Sequence, residues 1–116
     1  GGQAYNNEGA QITRLTGGLV TLDWDSYNQV DLLNDGNIDE IEIDDASMQE
    51  GGCYVLLVKA ATGALASITF TADVPANLKW FQGAAPTDIT QVTNSLAVFT
   101  FIKSGGFVLA SYWYAT

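Results

Sequence analysis

Asp31, Asp35, Asn37 and Glu42 occupy the first, fifth, seventh and twelfth positions of the segment "DLLNDGNIDEIE", with Gly36 at the sixth. Oxygen-bearing side chains at this spacing, around a glycine that permits a sharp turn, are how a calcium loop wraps its ion. Leu33 breaks the pattern: it stands at the third position, where an oxygen ligand belongs, and neither flank has helical periodicity. A β-turn centred on Asp35 and Gly36, joining two strands, is the better account. Calcium held by Asp31, Asp35, Asn37 and Glu42 is the weaker alternative and the only cofactor with a candidate site.

Other catalytic chemistry has little to work with. The chain contains no histidine, which removes the commonest general base and the usual serine and cysteine triads. No phosphate-binding loop and no glycine-rich dinucleotide motif occurs. Two carboxylates could hydrolyse a glycosidic bond, but Glu40, Glu42 and Asp44 alternate along one run and read as the solvated face of a strand. Cys53 is the single cysteine, so neither an intrachain disulfide nor a multi-thiolate zinc site can form. Beside Tyr54 and Val55 it is expected to pack as a small hydrophobe. No enzymatic activity is expected.

The remaining candidates are aromatic. In "KWFQGAAPT", Trp80 and Phe81 directly precede a turn made of glycine, alanine and proline. With Trp113, or with Trp24 and Tyr27, they could stack on sugar rings. Adjacent residues of a strand point to opposite faces, so Trp80 and Phe81 cannot serve one flat platform unless the strand bulges. A structural corner is favoured, with Trp80 packed inside and Gly83 and Pro86 setting the reversal. Trp80, Phe81 and Trp113 are kept as candidates for a ligand or subunit interface.

The elements that must hold these residues read as strands. "GLVTLDW", "DEIEID" and "ASITFT" alternate apolar and polar residues with period two, as half-buried strands do. "CYVLLV", "LAVFTFI" and "FVLASYWY" are apolar on both faces, which places them at the centre of the fold or in an interface. Turn signals separate the runs at "NDGN", "EGG", "ATG", "AAP" and "SGG". Only "DASMQE" suits a helix, of one turn at most, and no internal repeat stands out. The expected fold is all-β, an antiparallel β-sandwich or jelly-roll-like arrangement of about eight or nine strands. Residues 1–10 read as a flexible lead-in and 11–116 as a single β-sandwich domain.

Charge is scarce and one-sided. Four basic residues stand against thirteen acidic ones, for a net charge of −9. Arg14, Lys59, Lys79 and Lys103 are too few and too scattered to neutralise phosphates, so nucleic acid is not an expected partner. No run of apolar residues is long enough to span a bilayer and no signal peptide is evident, so no membrane partner is expected either. Hydrophobic residues make up 47% of the chain and charged ones 15%, a thin polar cover that favours burial against other subunits.

The C-terminal half resembles a module of tail fibres and related virion surface proteins of tailed bacteriophages. Gly51, Tyr54, Leu57, Thr62 and Gly63 match its first strand and turn. Lys79, Trp80, Gly83, Ala85, Pro86 and Thr87 match its tryptophan corner, and Asn94, Val98, Thr100, Phe101 and Gly105 its closing strand and glycine turn. The chain departs from the pattern at Phe81, where proline is common, at Ala97, where aspartate is common, and at Phe107, Val108 and Leu109, where an asparagine-tryptophan-tyrosine cluster is usual. The resemblance implies a β-sandwich, without catalytic residues, that builds or decorates a virion surface. It further implies a homo-oligomer, preferably a trimer, with other virion proteins as partners; a receptor-binding or carbohydrate-binding module for host surface glycan is the alternative.

Overall fold

The computed structural model describes residues 9–14, 18–34, 38–60, 69–84, 86 and 96–115. It contains two sheets with nine strands among those residues. The first six strands alternate between the layers. β1 (Gly9–Arg14), β3 (Gln29–Asn34) and β5 (Cys53–Ala60) lie side by side in the larger sheet, and β2 (Gly18–Leu22), β4 (Ile38–Ile43) and β6 (Thr69–Ala72) make up the smaller one. The larger sheet is completed by β7 (Leu78–Trp80), β8 (Leu96–Ser104) and β9 (Phe107–Ala115), in the order β1-β3-β5-β8-β9-β7.

All-β and sandwich-like is thus the right class, but antiparallel is not. The pairings β1–β3, β3–β5, β2–β4, β4–β6 and β7–β9 are parallel, and only β5–β8 and β8–β9 are antiparallel among the described residues. A parallel pair needs a long crossover. Here the crossover is a strand of the opposite layer, as β2 lies between β1 and β3 in the chain. Short glycine-containing connections serve a hairpin or a corner between layers equally well, which is why their spacing suggested an antiparallel jelly roll. The winding is also a structural repeat that the residues do not spell out. Residues 35–37, centred on the expected turn at Asp35 and Gly36, lie outside the described residues, but the strands on either side belong to different sheets and do not form a hairpin. The lead-in expected over residues 1–10 overlaps β1, which already includes Gly9 and Ala10.

Pleat alternation supplies one core. Val20, Leu22, Ile41 and Ile43 of the smaller sheet meet Val30, Leu32, Leu56, Val58, Phe99 and Phe101 of the larger one in a single buried cluster. Trp24, just past β2, is fully buried, with its ring 5.1 Å from Tyr54 and 6.1 Å from Phe101. The helical turn expected in "DASMQE" is a 3-10 turn at Asp45–Ser47, and the Ser47 hydroxyl accepts a bond from the Trp24 amide at 2.9 Å.

The approach to β5 depends on a glycine at Gly52. A Cβ there would lie 2.6 Å from Tyr54 Oη and 2.9 Å from the Gln49 carbonyl oxygen, while the Gln49 amide donates to Tyr54 Oη at 2.7 Å. Nothing in this packed corner can yield without moving a core ring. Gly52→Ala is therefore expected to lower stability by about 1–3 kcal/mol, read as a lower urea midpoint at an unchanged m-value.

Candidate functional site

Each strand of the larger sheet shows one face to the core and one outward. In β5, Tyr54, Leu56 and Val58 are buried, so Cys53, Val55, Leu57 and Lys59 face out. In β8, Ala97, Phe99 and Phe101 are buried, leaving Val98, Thr100 and Ile102 outside; in β9, Val108 and Ala110 are buried, leaving Phe107, Leu109, Ser111 and Trp113 outside. Register aligns these side chains into rows. Leu57, Val98 and Trp113 stand abreast, then Val55, Thr100 and Ser111, then Cys53, Ile102 and Leu109, with Lys79 of β7 beside Leu109. The three segments apolar on both sides are therefore neighbours. One side of each fills the core, and the other forms an apolar outer face on which Trp113 is 55% exposed.

At the margin of this face the chain turns through Trp80, Phe81, Gln82 and Gly83. The Gly83 amide donates to the Trp80 carbonyl at 2.9 Å, and Gly83 has φ +91°, in the left-handed region where a side chain is strained. The Phe81 amide donates to the Ala110 carbonyl at 2.7 Å and Gln82 Nε2 to the Tyr112 carbonyl at 2.8 Å, fixing the turn to β9. Trp80 and Phe81 do point opposite ways. Trp80 is half-buried, with ring centroids 5.4 Å from Phe70, 5.7 Å from Tyr112 and 6.4 Å from both Phe99 and Phe101. Phe81 is 88% exposed. Pro86 is buried.

A groove of about 310 Å³ lies on the outer face between Phe81, Lys79, Ile102, Leu109, Thr100 and Ser111. Lys79 Nζ sits 5.7 Å from the Phe107 ring centroid, over its face. Of the other aromatic candidates, Trp24 is core and Tyr27 packs against the core, so neither joins a platform with Phe81 and Trp113. Cys53 was expected inside the core; it is exposed on this outer face. Its position in the pleat opposite Tyr54 decides this, since only one of two neighbouring residues can face inward.

The calcium reading does not survive the topology. Asp31 lies between buried Val30 and Leu32 in β3, and Glu42 between buried Ile41 and Ile43 in β4. They point away from each other on opposite outer faces of the two layers and cannot share an ion. Asp31 Oδ1 accepts a bond from Gln29 Nε2 at 3.3 Å, and Glu42 Oε1 one from Thr21 Oγ1 at 3.1 Å. Asp35 and Asn37 lie outside the described residues. Glu40 and Glu42 form the solvated sheet face expected of them, with Glu40 Oε2 accepting from Thr71 Oγ1 at 3.0 Å.

An acidic group that the sequence did not single out closes the end of the smaller sheet. The buried Asp45 accepts the Asp73 amide at 2.8 Å, Asp73 accepts the Ala46 amide at 3.0 Å, and Lys103 Nζ donates to the Asp45 carbonyl at 2.9 Å. These bonds tie the end of β6 to the 3-10 turn. Burial, together with the neighbouring Asp73 carboxyl, pushes the Asp44 carboxyl above its ordinary value. The Ala46 amide bond holds Asp73 below its ordinary value. Asp73 and Lys103 lie far from Asp44 and Asp45 in sequence, so only the fold reveals the group.

Comparison with known proteins finds no matching family model, no matching curated protein and no matching solved structure.

Three substitutions test this geometry. Trp80→Ala removes a half-buried ring from four aromatic contacts and is expected to cost about 2–3 kcal/mol, below the ~3–5 of a fully buried one. Phe81→Ala should change the urea midpoint by less than the equivalent of about 0.5 kcal/mol. The Asp44 carboxyl is shifted in the opposite direction from that of Asp73. Its raised folded-state value means the fold binds its proton more tightly than the unfolded chain, so its contribution is fully present below the unfolded value and is lost as pH rises through the folded one. Asp44→Asn should therefore melt above the parent at about pH 7, with the difference shrinking as pH falls toward about 4.

Proposed function

We propose that this chain is a non-enzymatic structural protein of a bacteriophage virion, a capsid decoration protein or a tail or fibre component, acting by oligomeric assembly at the particle surface. The observation that carries the reading is the outer face of β5, β8 and β9, where Leu57, Val98 and Trp113 form one apolar row and Ile102 and Leu109 lie in another, on either side of Val55, Thr100 and Ser111. Apolar patches of this extent mark surfaces that another protein covers. The resemblance at Lys79, Trp80, Gly83 and Pro86 supplies the virion context, and with it the expectation of a trimer among other virion proteins. The side chains that the resemblance leaves in place serve packing and turn geometry. Gly83 closes the turn and Trp80 packs against the core.

Binding of a host glycan or receptor is a second reading, favoured by the exposure of Phe81 beside the groove. Because Trp80 faces inward, stacking would rest on Phe81, with Lys79 and Ser111 as its polar neighbours. The first reading is tested by density-gradient purification of particles from producing cells, followed by mass spectrometry and immunogold labelling. The chain is expected at fixed stoichiometry on the particle surface, and its absence from intact particles would overturn the reading. Glycan-array binding abolished by Phe81→Ala would move the assignment to the second.

A further inference from the structure

We propose that the outer face of the larger sheet is covered by other copies of this chain, apolar face toward apolar face, with the acidic sheets turned outward. This rests on the self-association in the preceding reading and names its contact surface. Electrostatics favour this arrangement. A chain of net charge −9 repels its copies, and repulsion of this kind selects the orientation that keeps like charges apart. The smaller sheet carries Glu40 and Glu42 on its outer side, with Asp23, Asp44 and Asp73 near its end. The described outer face of the larger sheet carries one acid, Asp31, against Lys59 and Lys79. Copies can meet there with their acidic surfaces on the far sides, while a strongly basic partner would be drawn to the opposite layer.

The face is also large enough. Four adjacent strands at ~4.8 Å spacing and ~3.4 Å per residue give a flat footprint of roughly 500 Å². Once side-chain relief is counted, this approaches the ~800 Å² that each partner contributes to a stable interface. Its relief and charge are self-complementary. A projecting ring, Phe81, and an apolar groove share the one face. Asp31 on β3 and Lys79 on β7 lie toward its opposite margins, so a rotated copy can present an opposite charge at each.

The test uses the full chain in sedimentation velocity over a wide concentration range, with light scattering to count subunits. The parent is expected to associate. Ile102→Glu and Trp113→Glu should each weaken association at least ~10-fold while keeping the parent's circular dichroism spectrum, and Thr69→Lys, on the outer side of the other sheet, should leave it unchanged. Should either face variant fail to fold, Cys53 in the parent decides: its reaction with a maleimide is expected to slow at associating concentrations and recover on dilution. If the parent associates but the folded face variants match it, or if Cys53 reacts at one rate throughout, the face is wrong and self-association stands. A parent that stays monomeric at every concentration overturns self-association and this proposal together, whatever the particle experiment shows.

Discussion

Both layers depend on two rings of β8. Phe99 and Phe101 lie on the inner side of the larger sheet, their rings nearly parallel and their centroids 6.5 Å apart. Phe99 reaches across to Phe70 of the smaller sheet at 4.9 Å and sideways to Tyr112 at 6.1 Å, while Phe101 meets Trp24 at 6.1 Å. Trp80 closes the group against both. Aromatic side chains carry the largest buried area per residue and hold preferred tilts, so these contacts set the register of the layers as well as their separation. Because β8 is also the junction between the parallel strands and the antiparallel hairpin, one strand supplies both the hydrogen bonds that join the two halves of the sheet and the rings that join the two sheets.

The same alternation that builds this core divides the outside of the molecule. Wherever a strand buries one alternate set of its side chains, the other set is committed to the surface. In β4 that set is Glu40 and Glu42; in β5, β8 and β9 it is mainly aliphatic and aromatic, interrupted by Thr100 and Ser111. The two outer sides thus have opposite character without any separate device to produce it. One carries threonine hydroxyls bonded to carboxylates, the other rows of exposed carbon. The turn that carries Phe81 adds relief to the apolar side while Trp80, one residue earlier, serves the interior.

Much of this was legible in the residues, and the failures share a cause. Strand positions, inward sets such as Ile41 and Ile43, the opposed directions of Trp80 and Phe81, and the two-sided apolar character of β5, β8 and β9 all follow from pleat periodicity, which is local. Partner choice is not local. Nothing in "NDGN" distinguishes a hairpin from a corner between layers, so the parallel winding was hidden, and with it the separation of Asp31 from Glu42. Cys53 was misplaced because a small apolar residue fits either side of a strand, and the large neighbour Tyr54 takes the inner one. The Asp44, Asp45 and Asp73 group was invisible because its members follow the ends of two strands, β4 and β6, that pair in the sheet but lie far apart in the chain.

The β8–β9 turn has a consequence for how the chain reaches this arrangement. Gly105 and Gly106 both have positive φ, at 60° and 81°, as a two-residue hairpin turn requires, and the Glu50 carboxylate accepts both of their amides. Every other strand pairing among the described residues joins segments far apart in sequence, at a larger cost in loop-closure entropy. The hairpin is the one piece of sheet that can assemble early, on the microsecond scale of isolated hairpins. It brings Phe99, Phe101 and Tyr112 together as a template against which the slower, long-range coils must then be laid down.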